Sequence, residues 1–85
     1  MYIQWLGGNG FKIQIEKTVL IIDPPSEQSG FRQNPLKADI VLNSGYGLTD
    51  AERVKPQENT CTIIDSPGEY EVQGIFIYGI RAKNV

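Results

Sequence analysis

The sequence predicts a mainly β domain with one short helix, an α+β arrangement forming a single domain over residues 1–85. Three observations carry that expectation. Apolar and polar residues alternate with a period of two along most of the chain, the spacing that puts one strand face in a core and the other in water. Val19-Leu20-Ile21-Ile22 is apolar at every position, as a central strand covered on both faces requires. Only one segment, Thr49 to Lys55, carries a helix start signal, with Thr49 as cap, Glu52 three residues on completing a capping box, and Pro56 as the stop.

Taken in order, Ile3 and Trp5 alternate with Tyr2 and Gln4, and Phe11, Ile13 and Ile15 alternate with Lys12, Gln14 and Glu16. Between the two runs, Gly7-Gly8-Asn9-Gly10 supplies residues that tolerate positive φ, so these strands should pair antiparallel through a tight hairpin. Asp23-Pro24-Pro25 ends the Val19–Ile22 strand, because proline cannot donate to a ladder. From Ser26 to Lys37 the chain is polar and aperiodic, with Gly30 and Pro35, and reads as a surface loop. Ile40-Val41-Leu42, Thr62-Ile63-Ile64, Glu69-Tyr70-Glu71-Val72 and Ile75-Phe76-Ile77-Tyr78 read as further strands, the last three separated by Ser66-Pro67-Gly68 and Gln73-Gly74. No repeat, linker or low-complexity tract divides the chain.

Composition narrows the function. A net charge of −2 with eight scattered basic residues argues against a nucleic-acid surface, which needs clustered Lys and Arg. The run Val19–Ile22 is strand-length, well below the roughly 18 residues a membrane span takes, so no membrane partner is expected. The start Met1-Tyr2-Ile3-Gln4 has no basic region before an apolar stretch, hence no expected signal peptide. The single Cys61 cannot form an intrachain disulfide, which fits a cytoplasmic location. A domain of 85 residues buries only about 60–65% of the surface its unfolded chain exposes, so its stability should be modest.

The chemistry-bearing residues mostly have plain structural explanations. Asp23, Asp39, Asp50, Asp65, Glu69 and Glu71 could in principle gather on a hard cation, but no EF-hand-like spacing is present, and turn or solvent-facing roles account for them. The glycine tract lacks the helix and the Lys-Ser/Thr of a phosphate loop. Ser44 and Ser66 have no histidine to act as base anywhere in the chain. Cys61 opens an apolar strand, where packing outweighs reactivity as an explanation. Glu69 and Glu71 lie about 7 Å apart on one strand face, where a solvated pair outweighs a glycosidase dyad. Tyr2, Tyr46, Tyr70 and Tyr78 are too dispersed for a stacking platform.

Several blocks, in order, resemble one family. Trp5-Leu6-Gly7 with Phe11 and Ile13, then Ile21-Ile22-Asp23-Pro24, Ala38-Asp39-Ile40-Val41-Leu42, Pro67-Gly68-Glu69-Tyr70-Glu71-Val72 and Gly74-Ile75 are similar to stretches of metallo-β-lactamase superfamily hydrolases of the L-ascorbate-6-phosphate lactonase-like group. The resemblance implies half of an αββα sandwich, the N-terminal half. It also implies that Ile40 to Asp50 runs into the family's zinc loop, His-x-His-x-Asp-His, whose ligand positions fall on Gly45, Gly47, Thr49 and Asp50. Zinc is held in such sites by imidazole and carboxylate groups with one position left open for water. Two glycines and a threonine supply none of these groups, so the degenerate loop predicts no metal, no cofactor and no catalytic residue.

The resulting expectation is a non-catalytic half-domain acting through self-association or partner binding. The alternative is a component of a lactone- or phosphoester-type hydrolase, completed by a second chain that supplies the ligands. The candidate interface is Ile75, Phe76, Ile77, Tyr78 and Ile80, a stretch apolar on both strand faces. In longer family members the second half-domain would cover it; here a homo-oligomer or a complementary protein chain is expected to do so.

Overall fold

The computed structural model describes residues 1–26, 35–45 and 49–81. Among these residues nine strands follow one another: β1 (Tyr2–Gly7), β2 (Gly10–Ile15), β3 (Thr18–Ile22), β4 (Lys37–Ala38), β5 (Ile40–Leu42), β6 (Lys55–Pro56), β7 (Thr62–Ile64), β8 (Gly68–Val72) and β9 (Ile75–Gly79), with a 3-10 turn at Ala51–Arg53 before β6. The main sheet has the order β1-β2-β3-β5-β7. β1, β2 and β3 form an antiparallel meander, and β5 and β7 then add parallel to β3. The fold is the mainly β one the sequence predicts, and among the described residues its helical element is the 3-10 turn at Ala51–Arg53.

The meander is set by its turn. Gly7 and Gly8 take φ values of 108° and 55°, open to glycine at little cost, and Gly7 opposite Gly10 closes the ladder. Gly10 has a second reason to lack a side chain: a Cβ there would stand 2.8 Å from the Asp23 carbonyl oxygen and 2.9 Å from Pro25 Cδ. The hairpin therefore lies directly against the chain leaving β3.

Two cores flank the sheet. On one face Leu6, Val19, Ile21, Ala38, Val41, Ala51 and Val54 pack together, closed by the short parallel pair β4–β6 and the 3-10 turn. On the other face Leu20, Ile40 and Ile64 meet Tyr70, Val72, Ile75 and Ile77 of the β8–β9 hairpin. Val19 and Ile21 are consequently buried on one face and Leu20 on the other, the reason the run Val19–Ile22 carries no polar residue. Asp39 is buried where β4 passes to β5 and accepts hydrogen bonds from the Val19 backbone N–H (2.9 Å) and from Gln57 Nε2 (3.2 Å).

Two local expectations are corrected. The 3-10 turn is capped by Asp50, whose carboxylate accepts from the Glu52 N–H at 3.1 Å; Thr49 instead forms an isolated bridge with Pro25. No longer helix forms, because Val54 is extended and Lys55 and Pro56 pair in parallel with Lys37 and Ala38. A parallel strand partner and burial of Val54 outweigh the weak helix preference of seven residues. The loop expected over Ser26 to Lys37 gives up its last residue to β4; its stretch 27–34 lies outside the described residues.

Candidate functional site: the loop at the strand ends

Parallel strands β3, β5 and β7 end side by side, and the chain leaves them at Asp23, Asn43 and Asp65. Asp23 is buried and sits at φ 46°, an uncommon conformation for a residue with a Cβ. Its carboxylate grips the start of the next loop: the Ser44 N–H donates to Oδ1 at 2.6 Å and the Ser44 hydroxyl to Oδ2 at 2.7 Å. Asn43 ties that loop to itself. Its Oδ1 accepts from the Gly45 N–H and from the Thr49 hydroxyl, each at 3.2 Å, so the two ends of the loop meet on one amide oxygen. The Asp50 N–H donates to the Pro24 carbonyl at 2.8 Å, and Arg53 reaches the Pro25 carbonyl at 2.7 Å, pinning the far side to the end of β3.

The described residues among the positions that the resemblance sets against zinc ligands are occupied in different ways. Gly45 is exposed at φ 87° with no atom within 4 Å of where a Cβ would stand. Gly47 lies outside the described residues. Thr49 spends its hydroxyl on Asn43, and Asp50 spends a carboxylate oxygen on the 3-10 turn. These residues do not fit a zinc ion, which takes imidazole and carboxylate donors converging at about 2.0–2.2 Å. Among the described residues no group of three or more His, Cys, Asp or Glu side chains is placed to hold a metal. Asp23, Asp39 and Asp50 are engaged in the hydrogen bonds given above, while Asp65, Glu69 and Glu71 face solvent.

Beside the loop an open groove of about 430 Å³ runs between the strand ends and β9, with Ile22, Leu42, Ile64 and Ile77 as its apolar floor and Ser44, Asp65 and Arg81 at its polar rim. Its only carboxylate is Asp65, and among the described residues no cluster of metal-donor side chains lines it. Asp23, Asn43 and Ser44 carry the loop, and sequence reasoning passed over all three roles. The signal for Asn43 was available: an Asn at a strand end followed two residues later by Gly favours a side-chain-to-backbone turn.

A family model described as a beta-lactamase superfamily domain matches residues 2–85. The chain belongs to that family. A solved structure from Thermotoga maritima, of a protein named as a Zn-dependent hydrolase of the metallo-β-lactamase superfamily, superposes with a TM-score of 0.72 at 28% identity. That similarity covers 94% of this chain and 37% of the other, so the chain spans well under half the length of the hydrolase it resembles. No curated protein matches it. The metallo-β-lactamase fold is therefore present in part, and the strand-end loop where Gly45, Thr49 and Asp50 sit holds its shape through hydrogen bonds internal to the protein.

The candidate interface divides in two. Ile75 and Ile77 point into the core, whereas Phe76 and Tyr78 are 64% and 66% exposed, and Ile80, just past the strand, is 86% exposed. A second apolar group, Ile3 and Trp5, is 58% and 59% exposed on β1, a feature the alternation pattern did not distinguish from a covered face. Among the described residues no helix is long and apolar enough to cross a membrane.

Proposed function

We propose that this chain is a non-catalytic metallo-β-lactamase-like half-domain, of the L-ascorbate-6-phosphate lactonase-like branch, that acts by associating with protein. The carrying observation is Asp50: the one carboxylate left among the four ligand positions is committed to capping a turn. With one of its carboxylate oxygens on its own backbone at 3.1 Å, Asp50 is a single donor group where a zinc ion takes several imidazole and carboxylate groups. The ordered sequence blocks support the lactonase-like branch, and the free Cys61 thiol is in keeping with a cytoplasmic location. The outward residues of β9 are the surface through which a second copy or a complementary chain would bind.

Elemental analysis after dialysis against a weak chelator at neutral pH tests the non-catalytic reading. Substoichiometric zinc and background hydrolysis of lactone and phosphodiester substrates are the expected result. About one zinc per chain, retained with activity, would overturn it and favour a hydrolase component.

A further inference from the structure

We infer that the free edge of β9 pairs antiparallel with β9 of a second copy, joining two β8–β9 hairpins into one four-stranded sheet. This rests on the association reading above and specifies the partner and the geometry. Among the described residues β9 is hydrogen-bonded on one side only, to β8, so alternate backbone N–H and C=O groups along its other side lack a strand partner. Native proteins blunt such an edge with charge, proline, a bulge or shortness. The main sheet's edges show two of these devices: β1 has a bulge between Trp5 and Gly7, and β7 is three residues long. Ile75-Phe76-Ile77-Tyr78-Gly79 has none, being five residues, regular, uncharged and free of proline.

Charge selects edge pairing over stacking of two outer faces. On the outward face Glu69 stands opposite Tyr78 and Glu71 opposite Phe76. Two stacked faces, about 10 Å apart, would set these carboxylates against their own copies. Edge pairing places the two β8 strands three strand spacings apart, about 14 Å, beyond the screening length of roughly 8–10 Å in physiological salt. A two-fold axis through Ile77 sets Phe76 of each copy across from Tyr78 of the other, two aromatic cross-strand pairs on one face. The strand is thus complementary to itself. A short edge makes a small interface, so the dimer should be populated at high micromolar concentration and not far below it.

Sedimentation equilibrium of the 85-residue chain should show a monomer–dimer equilibrium, with β9 amides exchanging more slowly as concentration rises. Tyr78→Lys, at an exposed position, should abolish the dimer without changing the circular dichroism. In a Cys61→Ser background, Phe76→Cys with Tyr78→Cys should give an intermolecular disulfide on mild oxidation. A monomer at high micromolar concentration would overturn the inference while leaving the non-catalytic reading to the zinc measurement. A dimer whose β9 amides exchange as in the monomer, and which tightens when Glu69 and Glu71 become Gln, would overturn edge pairing and keep association through the outer face.

Discussion

Asp23 and Ser44 are joined by two hydrogen bonds at once, from the serine N–H at 2.6 Å and its hydroxyl at 2.7 Å. This clamp couples the end of β3 to the end of β5 across 21 residues of chain. The two bonds offset the cost of holding a residue with a Cβ at φ 46°.

Asp23→Ala should therefore cost about 1–3 kcal/mol, because it removes the two hydrogen bonds that the buried Asp23 carboxylate accepts from Ser44. Asp23→Asn should cost less, since asparagine tolerates positive φ and keeps an oxygen for the Ser44 N–H. Urea unfolding of both variants checks the order. Equal losses would mean the clamp contributes nothing beyond packing.

The cap makes a second prediction. Asp50→Ala should destabilise by about 1 kcal/mol, as loss of an N-cap does, and Asp50→Asn should recover most of it. Thr49→Val, which removes only the hydroxyl bond to Asn43, should have the smaller effect. If thermal melts rank Thr49→Val above Asp50→Ala, the cap assignment fails.

Rebuilding the metal loop tests its ancestry. The quadruple change Gly45→His, Gly47→His, Thr49→Asp and Asp50→His should bind zinc measurably by calorimetry, yet weakly, with hydrolysis still at background. It should also lose stability: a histidine at φ 87° is strained by about 1–3 kcal/mol, and the Asp50 cap is gone. Zinc binding no tighter than that of the parent chain would show the assigned register to be wrong.

Cys61 should alkylate slowly. Desolvation first, and the Asp39 carboxylate second, raise its pKa above the ordinary thiol value and disfavour the reactive thiolate. Asp39→Asn should speed iodoacetamide labelling of the folded protein at pH 8. The native state keeps its proton where the unfolded thiol has lost it, so this group's contribution to stability falls as pH rises through the unfolded thiol's pKa. Labelling as fast as that of a small free thiol would refute the shift.

Much of this protein was readable before folding. The period-two runs located β1, β2 and β8, the glycine tract located the first hairpin, and the unbroken apolar runs located β9 and identified β3 as central, because burial on one or two faces is written directly in residue polarity. The missing imidazoles were equally plain in the sequence.

Tertiary structure decided the rest. Only the assembled sheet makes β3, β5 and β7 parallel, since strand direction depends on the crossover and not on the apolar pattern. Only packing against β4 turned Lys55 and Pro56 into a strand and passed the cap from Thr49 to Asp50. Gly10 looks like a turn residue in sequence, yet the approach of Asp23 and Pro25 also denies it a side chain. Phe76 and Ile77 are adjacent and equally apolar, and the placement of the hairpin over Leu20 and Ile40 sends Ile77 into the core and leaves Phe76 in water. Hydrophobicity states that a residue gains by burial; which face finds a partner is settled by long-range contacts that no local window contains.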